Sequence, residues 1–217
     1  TGSSNTAVGY RALYSQAGNS GYTNTGIGRD ALYGNTSGSG NTAVGRSALG
    51  SYSGMTGDGN TAIGEYALYS NSSGAYNVGI GHSALYDNDS GEYNTAIGYL
   101  ALSNNISGDQ NIAIGLSAME LNTTGSENIY LGRYAGATNN ADGNVGIGYW
   151  AGYGNTTGTY NVALGYEALR NNTVGFENVA IGKGAMYNGG YGDYNIAIGT
   201  DKAKVWSIKY PNGNFKL

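Results

Sequence analysis

The stretch NTAIGEYALYSNSSGAY (residues 60–76) is followed by Asn77-Val78-Gly79-Ile80-Gly81, which starts the same phrase again. The phrase opens on a pentad, Asn-x-small-aliphatic-Gly, that begins at Asn5, Asn24, Asn41, Asn60, Asn77, Asn94, Asn111, Asn128, Asn144, Asn161, Asn178 and Asn195. The steps between these twelve copies are 19, 17, 19, 17, 17, 17, 17, 16, 17, 17 and 17 residues, so the chain is a tandem repeat of period 17. Its columns are strict. The fourth position is always Val, Ile or Leu, from Val8 and Ile27 to Ile198, and the fifth is always Gly. Ala follows three residues after that Gly (Ala12, Ala31, Ala48, Ala67 and on to Ala185), usually with Leu or Met behind it. Most copies then close on an Asn and a Gly, as in Asn71-Ser72-Ser73-Gly74, Asn88-Asp89-Ser90-Gly91 and Asn105-Ile106-Ser107-Gly108.

An amphipathic helix needs apolar residues at helical spacing over about ten or more positions, and a Gly interrupts every copy before that length is reached. The pentad alternates instead as a short strand does, with side chains two and four on one side and the small third residue on the other. Each copy reads as strand, corner, short strand and turn. The chain is therefore expected to be all-β, a parallel β-solenoid or β-roll of about twelve 17-residue coils. Stacked at ~4.8 Å per coil, it makes a rod of roughly 55–60 Å. In-register stacking puts like residues on like, so the aliphatic fourth column and the Leu column are expected to form a thin core. The Ala/Gly third column then leaves a flat face that another backbone can approach. One such roll buries little apolar area per residue, and side-by-side association into a homotrimer completes the core.

The period ends after Gly199. Residues 1–200 form the repeat domain, and residues 201–217 a capping segment whose Pro211-Asn212-Gly213 turn between strand-like runs predicts a C-terminal β-hairpin. The chain starts in mid-phrase at Thr1, as a segment of something longer would. Composition fits order imposed by repetition: 40 Gly, 21 Tyr and a single Pro among 217 residues, with 11% charged. A net charge of −4 without any Lys/Arg cluster gives no footprint for nucleic acid. No cysteine is present, which removes disulfides and thiolate metal sites. No apolar run reaches the length of a membrane span, and no charged segment precedes an apolar one at the start, so neither membrane insertion nor a signal is expected.

NTAIGYLAL (94–102) and NVALGYEAL (161–169) resemble the Asn-Ser-Val-Ala-Ile-Gly phrase in the head domains of trimeric autotransporter adhesins. The variant with Gly-Tyr-x-Ala-Leu-Tyr is similar to repeats of phage tail-fibre, tailspike-like and large bacterial surface proteins. The resemblance covers residues 5 to about 200. It implies a left-handed parallel β-roll that trimerises side by side, in an extracellular or virion-surface fibre that holds something at a distance or attaches to a surface. The chain departs from the adhesin heads in its longer coil and in lacking their Lys-rich neck and coiled-coil stalk.

Few side chains suggest chemistry. Gly26-Ile27-Gly28 and Gly146-Ile147-Gly148 lack the third Gly and the following helix of a nucleotide loop. Asn188-Gly189-Gly190-Tyr191-Gly192-Asp193 is one residue short of a calcium-roll turn and occurs once, and Asp87-Asn88-Asp89 is better explained as a turn. His82 is the sole histidine, in an exposed and tolerant column, so neither a zinc site nor a Ser-His-Asp triad can be assembled. Asp87, Asp89 and Glu92 form the nearest carboxylate set for polysaccharide cleavage, which needs a pair about 5–9.5 Å apart in a groove. No cofactor is implied.

Tyr recurs after the Leu (Tyr14, Tyr33, Tyr69, Tyr86, Tyr187) and before the Asn (Tyr76, Tyr93, Tyr160, Tyr194). Stacked coils turn these files into ladders that either stabilise the rod or offer sugar C–H surfaces an aromatic strip. The pentad asparagines, among them Asn60, Asn77, Asn94 and Asn111, are expected to form an amide ladder along the coil edge. Sequons at Asn35, Asn71, Asn88, Asn105, Asn122, Asn155 and Asn171 are read as Asx turns in preference to glycosylation sites. The second column runs from Thr6, Thr25, Thr42 and Thr61 to Ile112 and Ile129; it turns apolar and shares a side with the expected core, which argues against ice binding. The expected function is a structural and adhesive fibre segment without catalysis, meeting a host-cell surface glycan or other receptor. The alternatives are a polysaccharide-cleaving tailspike and a self-polymerising extracellular filament whose open β-edge pairs with the next copy.

Overall fold

The computed structural model describes residues 2–15, 18–51, 54–188, 192–200 and 206–207. It is all-β. Twelve strands run from β1 (Thr6–Val8) to β12 (Asn195–Ile198), one at each pentad, and stack in chain order into a single parallel sheet. The register joins equivalent columns, as in Thr61↔Val78, Ala62↔Gly79 and Ile63↔Ile80. The result is a β-solenoid of about eleven turns, and its coils are numbered here by their opening asparagine, from coil 1 at Asn5 to coil 12 at Asn195. A short β13 (Trp206–Ser207) pairs antiparallel on β12. The rest of the expected terminal hairpin, including Pro211-Asn212-Gly213, lies outside the described residues.

Among the described residues each coil holds one parallel strand, not the two expected. The segment after the pentad is broken by left-handed residues two and four positions beyond the Gly, Tyr66 (φ 58°) and Leu68 (φ 52°) in coil 4, so the backbone cannot stay extended. Stacking continues there all the same. The Tyr66 N–H donates to Arg46 O (3.0 Å) in the coil before, and the Leu68 N–H to Ala84 O (2.9 Å) in the coil after.

The Leu column lies in the core as expected, but the strand faces it with its other side. The third column is buried (Ala43, Ala62, Ala96, Ala113, Ala180), whereas the fourth faces out, with Ile63 41% and Ile114 38% exposed. The slot between strand and turn is too thin for two large side chains. A Cβ on Gly79 would lie 3.3 Å from Leu68 Cγ and 3.1 Å from Ala84 O, so only Ala or Gly fits opposite the Leu column. The core is thus Ala against Leu or Met (Leu32, Leu49, Leu68, Leu85, Leu102, Met119). Thr, Val and Ile at the second and fourth positions form an outer stripe. The argument from burial against ice binding falls with this inversion; the loss of Thr beyond Thr95 still breaks the file.

Tyr130 tests that geometry. It occupies the third column of coil 8, fully buried, paired with Ala113 on one side and Gly146 on the other. The Leu column carries Gly136 and Gly152 beside it, and a Cβ on Gly136 would lie 2.6 Å from the Tyr130 ring. One ring fills the space that two leucines occupy in other coils.

The fifth-column glycines sit at φ between 120° and 145°, a region closed to other residues. Added bulk would also strike the next coil: a Cβ on Gly64 would be 2.6 Å from Gly81 O. Two amide files tie the coils together. Asn60 Nδ2 donates to Gly74 O (2.9 Å), and its Oδ1 accepts the Asn77 N–H (2.9 Å). Asn77, Asn94 and Asn111 repeat the pattern, with Asn94 and Asn111 N–H groups on Asn77 and Asn94 Oδ1. The turn asparagines form a second file, in which Asn88 Nδ2 donates to Asn71 Oδ1 (2.7 Å) and to Gly91 O (2.9 Å). This file contains six of the seven sequons, and Asn35, Asn71, Asn88, Asn105, Asn122 and Asn155 are all buried. Only Asn171 is exposed.

Candidate functional site

With the coil edge made of amides and the core of Ala and Leu, the chemistry available to a partner lies on the turn side of each coil and at the residue before the Asn. Tyr14 and Tyr33 stack at 5.6 Å, Tyr69 and Tyr86 at 5.2 Å, and Tyr76 and Tyr93 at 5.2 Å. Tyr33 is the buried member of its pair, whereas Tyr14, Tyr76, Tyr93, Tyr160 and Tyr194 are exposed. Tyr187 is half-buried and its hydroxyl accepts from Arg170 Nη1 (2.7 Å). Tyr194 meets Phe176 edge-on at 5.1 Å. Parallel stacking along the rod has a consequence for sugar binding: paired rings cover each other's faces and turn their edges outward. Flat contact with a sugar is left to the rings at the ends of a stack.

Two groups of rings go beyond simple files. The first brings Tyr66 against Tyr69 (5.5 Å), Tyr86 (6.2 Å) and His82 (6.2 Å), with His82 stacked on Tyr99 (5.3 Å). His82 Nδ1 lies 3.0 Å from Ser83 Oγ. Burial pushes the Tyr86 phenol above its ordinary value, and the adjacent Asp87 adds to the shift. The second group gathers Tyr134, Tyr149, Trp150, Tyr153 and Tyr166. Tyr149 lies 4.4 Å from Trp150 and stacks on Tyr166 at 5.4 Å; Tyr134 stacks on Trp150 at 6.4 Å. The Arg170 guanidinium lies 4.0 Å over Trp150 and that of Arg133 5.0 Å over Tyr134. Glu167 Oε1 accepts from Arg170 Nη1 (2.9 Å), while Arg170 Nε is buried with no acceptor among the described residues. Spacing singled out none of this second group, though Tyr187 adjoins it through Arg170. Its signal is spread over the first, second and fifth positions after the Gly in three successive copies, and only stacking assembles it.

The carboxylates are dispersed. Asp87 and Asp89 line a shallow groove with Ser70, Ser72 and Thr123, and Glu92 does not line it. Among the described residues, Asp30 is the one carboxylate clamped by two arginines: the Arg11 hydrogen bond (2.7 Å), with Arg29 beside it, holds its carboxyl below the usual range. Among the described residues no group of three His, Asp or Glu side chains could hold a metal ion. Of the calcium-roll-like stretch, residues 189–191 lie outside the described residues. Among the described residues, too, no helix is long and apolar enough to cross a membrane.

No family model matches the chain, and neither the curated proteins nor the solved structures compared with it gave a match.

Proposed function

We propose that the protein is a structural and adhesive fibre segment, three copies side by side, on an extracellular or virion surface and without catalysis. The observation that carries this reading is the outer stripe of the sheet. Its two columns are Thr, Val, Ile or Leu in every coil, and both are aliphatic from Ile112 and Ile114 onward. Eleven steps of ~4.8 Å by ~7 Å between the columns make a flat strip of roughly 370 Å². The largest apolar patch on a soluble monomer is about 300–600 Å² and is often functional, and here that area is drawn out as one continuous strip along the rod. The interface is thus moved from the Ala/Gly column, which is core, to the aliphatic face. Three thin rods with one stripe each bury all three stripes about a common axis, which supplies the apolar burial a single coil cannot.

Light scattering on the full chain at micromolar concentration tests the reading. A mass of three chains is expected, and Ile114→Lys with Ile147→Lys, both outward-facing, dissociates it without unfolding the coil. A monodisperse monomer of the unaltered chain overturns the proposal.

A further inference from the structure

The second ring group departs from a self-sufficient ladder in one respect. Of the five arginines in the sequence, Arg11 and Arg29 bind Asp30, Arg46 binds Glu65 and Arg170 binds Glu167. Arg133 makes no ion pair among the described residues. It is exposed, its guanidinium held over Tyr134 (5.0 Å) and Tyr149 (5.7 Å). Two rings therefore fix the position of a cation that no acid neutralises, in a chain of net charge −4.

The neighbouring rings present donors. Tyr149 is covered on one side by Arg133 and on the other by Tyr166, and Trp150 by Tyr134 and Arg170. With their faces covered, these rings offer edges, which carry the positive end of the ring quadrupole, and polar tips. The Trp150 indole N–H has no acceptor among the described residues. Oxygen acceptors, above all anionic ones, suit these two rings better than flat sugar C–H faces do. The donors also recur from coil to coil at ~4.8 Å, which fits an extended polymer better than a compact ion.

We propose that the surface formed by Arg133, Tyr134, Tyr149, Trp150 and Tyr166 binds an acidic saccharide laid along the rod, with Arg133 holding its carboxylate or sulfate group. This takes up the adhesive part of the fibre reading and narrows it from glycans in general to charged ones.

The chain has two tryptophans, Trp150 and Trp206, so a Trp206→Phe background makes the emission specific to Trp150. Titration with oligogalacturonate is expected to change that emission saturably, and the neutral methyl ester of the same oligomer to bind at least about tenfold more weakly. Arg133→Gln is expected to bring the acid down to the level of the ester, leaving ester binding unchanged, and Arg133→Lys to recover part of the difference. Circular dichroism of both variants establishes that the coil is intact. Absence of a saturable change, equal binding of acid and ester, indifference to Arg133→Gln, or inorganic sulfate binding as tightly as the oligomer each overturns the proposal. Light scattering on the same sample separates the two readings. A trimer that ignores the acid removes this site and leaves the fibre, whereas a monomer that binds it removes the fibre and leaves the site.

Discussion

Replacing Tyr130 with Ala restores the residue most common in its column, yet it is expected to be among the most damaging single changes to the rod. The ring is fully buried, and the positions that face the gap are all glycines, Gly136 and Gly152 in the Leu column and Gly146 in the third. Removing a buried aromatic side chain costs about 3–5 kcal/mol when the site cannot collapse, and a stacked coil fixed by bonds above and below collapses poorly. The hydroxyl adds little. Its hydrogen bond to Asn139 Oδ1 is long at 3.4 Å, and that oxygen also accepts from Asn155 Nδ2 (2.7 Å) and Asn144 Nδ2 (3.2 Å). A loss of about 4 kcal/mol is therefore expected. The reverse change is the sharper test. Gly136→Leu alone drives a Cβ to 2.6 Å from the ring and should cost about 2–3 kcal/mol by overpacking. Its backbone, at φ 57°, is already that of its column neighbours Met119 (φ 51°) and Leu169 (φ 50°), so leucine is admissible once the ring is gone. The double variant should recover at least about 2 kcal/mol relative to the sum of the singles. Urea unfolding followed by circular dichroism gives the totals, and hydrogen exchange in β8 (Ile129–Leu131) and β9 (Val145–Ile147) localises the damage, since a solenoid loses stability coil by coil. Additive losses, or a Tyr130→Ala cost below about 1 kcal/mol, would refute the claim that one ring stands in for two leucines.

Two further changes test the edge and the turns. Asn94→Ala leaves the buried Asn111 N–H without its acceptor, now Asn94 Oδ1 at 3.0 Å, and should cost about 2–3 kcal/mol in urea unfolding; a loss under about 0.5 kcal/mol would show that water replaces the amide. Gln110 is exposed at φ 58° in a column that carries Gly40, Gly59 and Gly143 elsewhere, so Gln110→Gly should stabilise by about 0.5–1 kcal/mol despite its added unfolded-state entropy. A lower thermal midpoint for that variant would contradict it.

The period, the parallel stacking and the Asx turns are legible because they follow from spacing alone, and spacing is what a sequence states directly. Which side of the strand faces in is not legible from alternation, which separates two faces without naming the inner one. Hydrophobicity favoured the Ile63 side, but the width of the slot decided for the Ala62 side, and width depends on the Leu68 side chain across the coil. A signal was present. The one large residue of the third column, Tyr130, coincides with two glycines in the Leu column, which is the compensation expected of facing positions. The mixture of Thr with Val and Ile in the second column likewise belongs to a solvent-facing file. The ring and arginine surface was hidden for another reason: Arg133, Trp150 and Tyr166 are far apart in sequence, and only the register of coils 8 to 10 makes them neighbours.

The left-handed residues described in the turns also bear on how long the folded rod lasts. Among the described residues, twenty-eight non-glycine residues have φ between 47° and 61°, and each such residue is about 1–2 kcal/mol above its right-handed alternative. A coil with a neighbour on each side recovers that strain through bonds in both directions; a solitary coil recovers none. Assembly therefore has a costly first step and cheap later ones, and dismantling has to begin at the two termini of the stack. Resistance to proteases and heat is then a matter of rates at the tips, and a longer rod outlasts a shorter one of the same composition.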